Sequence, residues 1–348
     1  MDAIEKNLRL DTKISIARNI SYPETFITSE TDRNCDNTEY DLNFKRTNID
    51  ESRMPISLRG KQWIFKKAIG EGTNFKTYIA TSNGGEIFAV RKNRKQDQST
   101  EIYENDEKAQ EEIANIMQLQ VELDLEMMEL IGNHLNIAAL IGFRQVGLCW
   151  EQFMEYVDGG CLFNFINENY INQNRLLEVE KAQSFFNDLL SAVEHIHSLK
   201  IAHMDIKPEN CLITKSGIVK LTDFDEARYF IPNLDVPYPV YFTPSYAAPE
   251  TFMKRYRPNC ADIWACGIFL CFLLQGYLPW SIANSKKDVV YRKWSRMHDN
   301  DKRMLLTFPE CYGCVSDLLM KILNVKVEKR ATLEEIRMHE WLQNSTKR

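Results

Sequence analysis

Residues 203–225 read HMDIKPENCLITKSGIVKLTDFD, and the order of side chains in this stretch decides the fold. Asp205, Lys207 and Asn210 fall in a polar segment whose proline and Glu-Asn pair argue against a helix. Two short apolar runs follow, Cys211–Ile213 and Ile218–Leu221, joined by Lys215, Ser216 and Gly217, which predicts a hairpin. The loop and the end of the hairpin thereby bring two carboxylates (Asp205, Asp223), a carboxamide and an ammonium into one place. Carboxylate and carboxamide oxygens suit a hard cation such as Mg²⁺, which completes its shell with water and phosphate oxygens. A nearby lysine suits the phosphates themselves.

Composition bounds what surrounds this loop. A chain of 348 residues with 44% hydrophobic and 26% charged residues has enough apolar side chains for a large core. The formal net charge of −6 speaks against a nucleic-acid or anionic-membrane partner. The longest apolar run, Ile263–Leu274, is too short to span a bilayer and reads as a buried helix. MDAIEKNLRLD at the N-terminus lacks the apolar centre of a secretory signal. Nine scattered cysteines, three of them in apolar runs, read as reduced thiols of a cytoplasmic or nuclear protein, and the single C-x-x-C at Cys311–Cys314 has no second pair to complete a zinc site. Residues 1–56 are polar and aperiodic and read as a flexible extension.

The motif His203-Met204-Asp205-Ile206-Lys207-Pro208-Glu209-Asn210, followed by Asp223-Phe224-Asp225, resembles the catalytic loop and metal-binding motif of eukaryotic protein kinases, H-R-D-x-K-x-x-N and D-F-G. The resemblance covers roughly residues 58–343. It implies an α+β, two-lobed fold: a small antiparallel sheet with one long helix (58–155), a larger helical lobe (156–343), and ATP between them. It also implies roles. Asp205 orients or accepts the substrate hydroxyl proton, Lys207 stabilises the γ-phosphoryl group, and Asn210 and Asp223 hold Mg²⁺. Lysine at position 207 is typical of Ser/Thr kinases.

The departures are specific. Met204 replaces the arginine that reads an activating phosphate, and between Asp223 and Thr243 the segment contains no serine or threonine. Receptor and target are missing together, which predicts that conventional Ser/Thr switching of this segment does not operate. Tyr229, Tyr238 and Tyr241 are its remaining hydroxyls. Asp225 replaces a glycine and either adds negative charge near the metal or points to solvent.

Upstream, Trp63–Ile69, Gly70-Glu71-Gly72 and Phe75–Ala80 resemble the strand–glycine loop–strand that covers ATP phosphates, with Phe75 in place of the third glycine. The third strand, Glu86–Arg91, ends in Ala89-Val90-Arg91 where the family has Ala-Val-Lys, and Lys92 points to the opposite face. The resemblance assigns Gly70, Gly72 and Arg91 to the phosphates, with Ile69, Thr77, Ala89, Met154 and Leu212 around adenine and the backbone of Glu155 and Val157 on its edge. Within the helical stretch 104–132, Glu122, Asp124 and Glu126 compete as partner of Arg91. Counting from Asp124 places Leu125, Met127, Met128 and Ile131 at the apolar spacing the family shows, so Asp124 is selected. Thr243–Glu250, Asp262–Gly267, Arg330 and Trp341-Leu342 continue the resemblance to the end: Thr243 would bond Asp205 and Lys207, Asp262 the loop backbone, and Arg330 would pair with Glu250.

Two functional classes follow from the same residues. One is a Ser/Thr protein kinase using ATP and Mg²⁺ on a protein substrate. The other is a pseudokinase that holds nucleotide or a regulatory partner without transfer, the reading favoured by Phe75, Arg91 and Asp225. Oligomeric state is not encoded in these motifs. If Arg91 and Asp124 replace the usual Lys–Glu pair, one side chain lengthened and the other shortened, then Arg91→Lys and Asp124→Glu each lower phosphate transfer. Their combination recovers it, and a double variant as weak as the singles would reject the pairing.

Overall fold

The computed structural model describes residues 49–71, 75–93, 121–122, 124–146, 149–235, 243–253, 255–298, 302 and 314–343. Gly72, Tyr238, Tyr241 and Cys311 of the C-x-x-C lie outside them, as do residues 104–120 of the stretch 104–132 expected to be helical. The chain divides into two compact units: one holds the described residues up to 122 and 140–156, the other 124–139 and the chain from 157 on.

The first unit is an antiparallel sheet of strands β1 (Ile49–Asp50), β2 (Trp63–Glu71), β3 (Phe75–Ser82), β4 (Ile87–Asn93), β5 (Leu140–Val146) and β6 (Cys149–Glu155). Their spatial order is β1-β5-β6-β4-β3-β2. Alternation along the strands sorts the side chains onto two faces. On one face Val90 and Phe153 are register partners, and with Met54, Leu58 and Ala80 they form a small core against which Trp63, Phe65 and Phe88 pack. The ring centres of Trp63 and Phe153 lie 4.7 Å apart.

Residues 49–56, which composition groups with the flexible extension, are part of this unit. Ile49 and Asp50 pair with Val146 and Gln145, closing the outer edge of β5. The chain then turns over the sheet face, residues 49–58 forming a strap that buries Met54 and Leu58 in the core. Arg59 holds the turn by donating to the carbonyls of Met54 (2.9 Å) and Ser52 (2.7 Å). Alternating charges cross the same face. Lys92 pairs with Glu151 at 2.7 Å, Glu151 with Arg144 at 2.7 Å, and Arg144 with Glu51 of the strap at 3.5 Å. Glu151 is buried, so these contacts replace the water it lost.

The second unit is mainly helical: α1 (124–131), α2 (Leu162–Asn169), α3 (Val179–Ser198), α4 (Pro258–Gln275), α5 (Val289–Arg296), α6 (Val315–Ile322), α7 (Leu333–Arg337) and α8 (Glu340–Gln343). Its small β elements are β7 (Ile201–Ala202), β8 (Cys211–Ile213), β9 (Val219–Leu221) and β10 (Arg228–Tyr229). β8 and β9 form the expected hairpin, and the loop before it carries one short 3₁₀ turn, Pro208–Asn210, where none was expected. On α1 the apolar set counted from Asp124 is buried at Leu125, Met127 and Ile131, with Met128 packed against the core. On α3 the apolar stripe Phe185, Leu189, Leu190, Val193 and Ile196 is buried.

α4 runs through the core of this unit. Its 18 residues are long and apolar enough to cross a membrane by composition alone, and 83% of them are buried within the fold. A Cβ at Gly267 would approach Ile322 and Leu323 to 2.6 and 2.7 Å, so glycine sets the contact of α4 with α6. The expected Arg330–Glu250 pair is present and buried, with Nη2 donating to Oε2 at 2.9 Å and Nη1 also reaching the carbonyl of Cys260. Removing either partner would leave a buried charge unmatched.

The strap predicts its own test. A Cβ at Gly142 on β5 would stand 2.8 Å from Pro55 and 2.9 Å from the Arg53 carbonyl. Elsewhere in a strand, Gly→Ala is stabilising through the unfolded state by about 0.5–1 kcal/mol. Here Gly142→Ala is expected to destabilise by about 1–3 kcal/mol in urea unfolding, and a raised midpoint would show that the strap is not seated on this face.

Candidate active site

The helix α3 ends at Ser198, and a left-handed residue, Lys200 (φ 64°), turns the chain into β7. β7 pairs with β10, which fixes the entrance to the loop that begins at His203. The loop is held from below by one carboxylate. Asp262, on the first turns of α4 and only 1% exposed, accepts from the backbone N–H of His203 (2.7 Å) and Met204 (2.9 Å) and from His197 Nε2 (2.9 Å). These bonds hold Met204 in a left-handed conformation, φ 70°, which a branchless side chain tolerates better than a β-branched one.

His203 fastens the other side. Its Nδ1 accepts from the N–H of Asp205 (3.2 Å) and its Nε2 donates to the carbonyl of Thr222 (3.0 Å), a pattern that requires the neutral ring with the proton on Nε2. Phe224 packs edge-on against the ring at 4.7 Å. The N–H of Thr222 donates to the carbonyl of Asn210 at 2.9 Å. Both backbone groups of Thr222 are therefore tied to the loop, and Asp223 follows immediately in a left-handed conformation, φ 66°. Asp225 does not take such a conformation, so the angles that the family glycine permits are not used at this position.

At the centre, four side chains form one network. Lys207 Nζ donates to Asp205 Oδ2 (2.6 Å) and to Thr243 Oγ1 (2.7 Å). Thr243 Oγ1 donates to Asp205 Oδ1 (2.7 Å). Asn210 Nδ2 donates to the carbonyl and Oδ2 of Asp205, at 2.9 and 2.8 Å. Burial pushes the Asp205 carboxyl up, but the Lys207 and Thr243 contacts outweigh it and hold the group below the usual carboxylate range. It is therefore ionised at neutral pH. The stability that its charge contributes is present above the ordinary carboxylate value and is lost only as pH falls through the lowered one.

The donor set fits a cation of the hard type. Asn210 spends its amide nitrogen on Asp205, and its amide oxygen is the atom able to ligate; Asp223 adds a carboxylate one residue beyond Thr222, whose N–H is bonded to the Asn210 carbonyl. Among the described residues no group of three or more His, Cys, Asp and Glu is arranged to hold a metal alone. A cation here would take the rest of its shell from water and substrate oxygens, as Mg²⁺ does.

The other expected residues are placed as follows. Thr77, Ala89, Arg91 and Met154 share one face of the sheet in the first unit, linked by the registers Thr77↔Arg91 and Ala89↔Met154. Ile69 and Gly70 lie at the end of β2, Gly70 opposite Thr77, and Glu155 ends β6 opposite Phe88. Asp124, half-buried on α1, Val157 and Leu212 belong to the second unit, with Leu212 bridged to Cys161. Tyr229, one of the remaining hydroxyls of the segment, is 8% exposed within β10, so this conformation withholds it from modification. Residues that spacing did not single out also enter. Glu209, whose carboxyl is raised by burial, is hydrogen-bonded to Tyr246 beside Asp205. Gln152 bonds Arg91.

Comparison with known proteins agrees with this geometry. Residues 63–342 match the protein kinase domain, so the chain belongs to the protein kinase family. It is 33% identical over 218 residues to the serine/threonine-protein kinase chk-1 of Caenorhabditis elegans, covering 61% of this chain and 41% of that protein. It is 34% identical over 221 residues to the probable serine/threonine-protein kinase HSL1 of Saccharomyces cerevisiae, covering 63% and 14%. To the CBL-interacting serine/threonine-protein kinase 16 of Arabidopsis thaliana it is 32% identical over 243 residues, covering 66% and 48%. The matched part thus spans half or less of these relatives. Membership brings ATP, a divalent cation and a protein substrate as the general reactants of the family.

Asp262→Asn tests the foundation of the site. An amide has one acceptor oxygen for the three N–H groups now bonded, and its NH₂ faces a donor. The expected result is a loss of about 1–3 kcal/mol in thermal or urea unfolding, with protection of the loop amides 203–205 from hydrogen exchange lost first. Unchanged exchange at those amides would show that the loop does not hang on Asp262.

Proposed function

We propose that the protein is a Mg²⁺/ATP-dependent serine/threonine kinase that works without Ser/Thr phosphorylation of the segment between Asp223 and Thr243. The observation that carries this reading is the network of Asp205, Lys207, Asn210 and Thr243, in which one half-buried carboxylate gathers an ammonium, an amide and a hydroxyl. Such an arrangement does little structural work that an apolar cluster could not do better, and it supplies what phosphoryl transfer needs: position and charge.

In the reaction, a substrate serine or threonine hydroxyl is oriented by the Asp205 carboxylate. Its oxygen forms a bond to the γ-phosphorus as the bond to the β-phosphate oxygen breaks, ADP leaves with that electron pair, and the proton passes to Asp205. Lys207 balances the charge of the phosphoryl oxygens in flight. A cation bound by Asn210 and Asp223 would supply neutralisation of the phosphates. Ile69, Thr77, Ala89, Met154 and Leu212 are assigned to adenine, with the backbone of Glu155 and Val157. Gly70, Gly72, Arg91 and its proposed partner Asp124 are assigned to the phosphates.

Independence from Ser/Thr phosphorylation is supported by the segment's own chemistry. Met204 packs against the apolar core where the family arginine would await a phosphate. Arg228, buried on β10, is already paired with Glu226 at 3.2 Å. A cytoplasmic or nuclear setting belongs to the same proposal; the buried thiols Cys211, Cys266 and Cys271 suit it, burial having pushed each of them up. The Arabidopsis relative is named for a partner it interacts with, and a regulatory partner for this chain is part of the proposal.

The second reading, a pseudokinase, is favoured by Arg91 in the lysine position. Transfer from γ-labelled ATP to a peptide library separates the two. Wild type is expected to label Ser/Thr peptides at least a hundredfold faster than Asp205→Asn. Equal incorporation would reject the enzyme, and a thermal shift with ATP, with and without Mg²⁺, then measures whether nucleotide is held.

A further inference from the structure

Three side chains from adjacent strands meet on the sheet face that carries Thr77, Ala89 and Met154. Arg91 on β4 stands opposite Gln152 on β6, and its Nη1 donates to Gln152 Oε1 at 3.4 Å. The guanidinium carbon lies 4.6 Å from the centre of the Phe75 ring on β3. Phe75 is the same-face neighbour of Thr77, the register partner of Arg91, a diagonal distance that aromatic and long side chains span. Phe75 and Gln152 are 5% and 4% exposed, so both flank the guanidinium from fixed positions.

The two positions where this chain departs most from the kinase pattern in the sheet, Phe75 for glycine and Arg91 for lysine, thus make a single contact. A guanidinium is planar, weakly hydrated and stacks on a ring face, and it has enough N–H donors to bond an amide oxygen and still present a two-pronged edge. An ammonium has no such face, and a glycine at 75 would offer no ring.

We infer that Phe75 and Gln152 are positioning residues for Arg91. They fix its guanidinium, through a ring face and an amide oxygen, so that a planar N–H edge instead of a point charge meets the nucleotide's phosphate oxygens. The clause about phosphates rests on the nucleotide-binding reading above; the coupling of the three side chains does not.

The test has two arms. In the unliganded protein, the melting temperatures of wild type, Phe75→Leu, Arg91→Lys and the double variant form a cycle, repeated with Gln152→Leu. Each partner substitution is expected to lower Tm by a few degrees in the wild-type background and by clearly less in the Arg91→Lys background. In the second arm, Mg·ADP affinity is measured by displacement of a fluorescent nucleotide. Phe75→Leu should weaken it roughly two- to thirtyfold, Phe75→Tyr should retain it, and neither Phe75→Leu nor Gln152→Leu should matter once Arg91→Lys is present. Additive melting shifts, or equal loss of affinity in both backgrounds, would overturn the positioning role while leaving the kinase reading intact. Coupled melting shifts in a wild type that binds no ADP would confirm the contact and overturn its use on phosphates, together with the nucleotide-binding reading.

Discussion

One buried carboxylate sets the geometry on which the candidate site depends. Asp262 sits on the core helix α4 and accepts from two successive loop N–H groups and an imidazole. A carboxylate at this depth is tolerable only when its lone pairs are filled by donors. The loop supplies those donors, and the requirement works in both directions. Satisfying Asp262 forces Met204 into its left-handed turn and presents Asp205 to Lys207, Asn210 and Thr243. His203 carries the constraint onward to Thr222 and so to the backbone next to Asp223. The rigidity of α4, packed through Gly267 against α6, is thereby lent to a loop with almost no regular structure of its own.

The sheet separates structure from chemistry by strand alternation. On one face Lys92, Glu151, Arg144 and Glu51 form a charge ladder beside an aromatic core. On the other lie Thr77, Arg91, Gln152 and Met154. The neighbours Arg91 and Lys92 show how much one residue of register decides: both are cations on one strand, yet Lys92 reaches the ladder and Arg91 the opposite face.

Much of this was legible in the residues themselves, and the reasons differ from place to place. The hairpin after the catalytic loop, the buried stripe of α3 and the burial of Leu125, Met127 and Ile131 follow from periodicity, which reports local geometry directly. The Thr243–Asp205 and Asp262–backbone contacts were legible only through family resemblance, since 38 and 58 or more residues separate the partners. The strap was not legible. Glu51 and Met54 sit in a polar, aperiodic stretch, and their partners on β5 and β6 lie far along the chain, where no local pattern points back to them. Gln152 was missed for a related reason: one amide inside an apolar strand carries no spacing signal, and its role exists only because Arg91 stands opposite.

The strap also has a temporal consequence. Ile49 is among the first described residues of its unit, and its partner Val146 is among the last. Between them the chain contributes 124–139 to the other unit. During synthesis the early strands β2–β4 leave the ribosome well before β5 and β6 exist to pair with them, and strap and ladder can form only after both have emerged. A nascent chain of this protein therefore carries an open sheet edge and an uncovered aromatic face for the time it takes to translate some fifty to sixty residues, a few seconds to about ten at ordinary elongation rates.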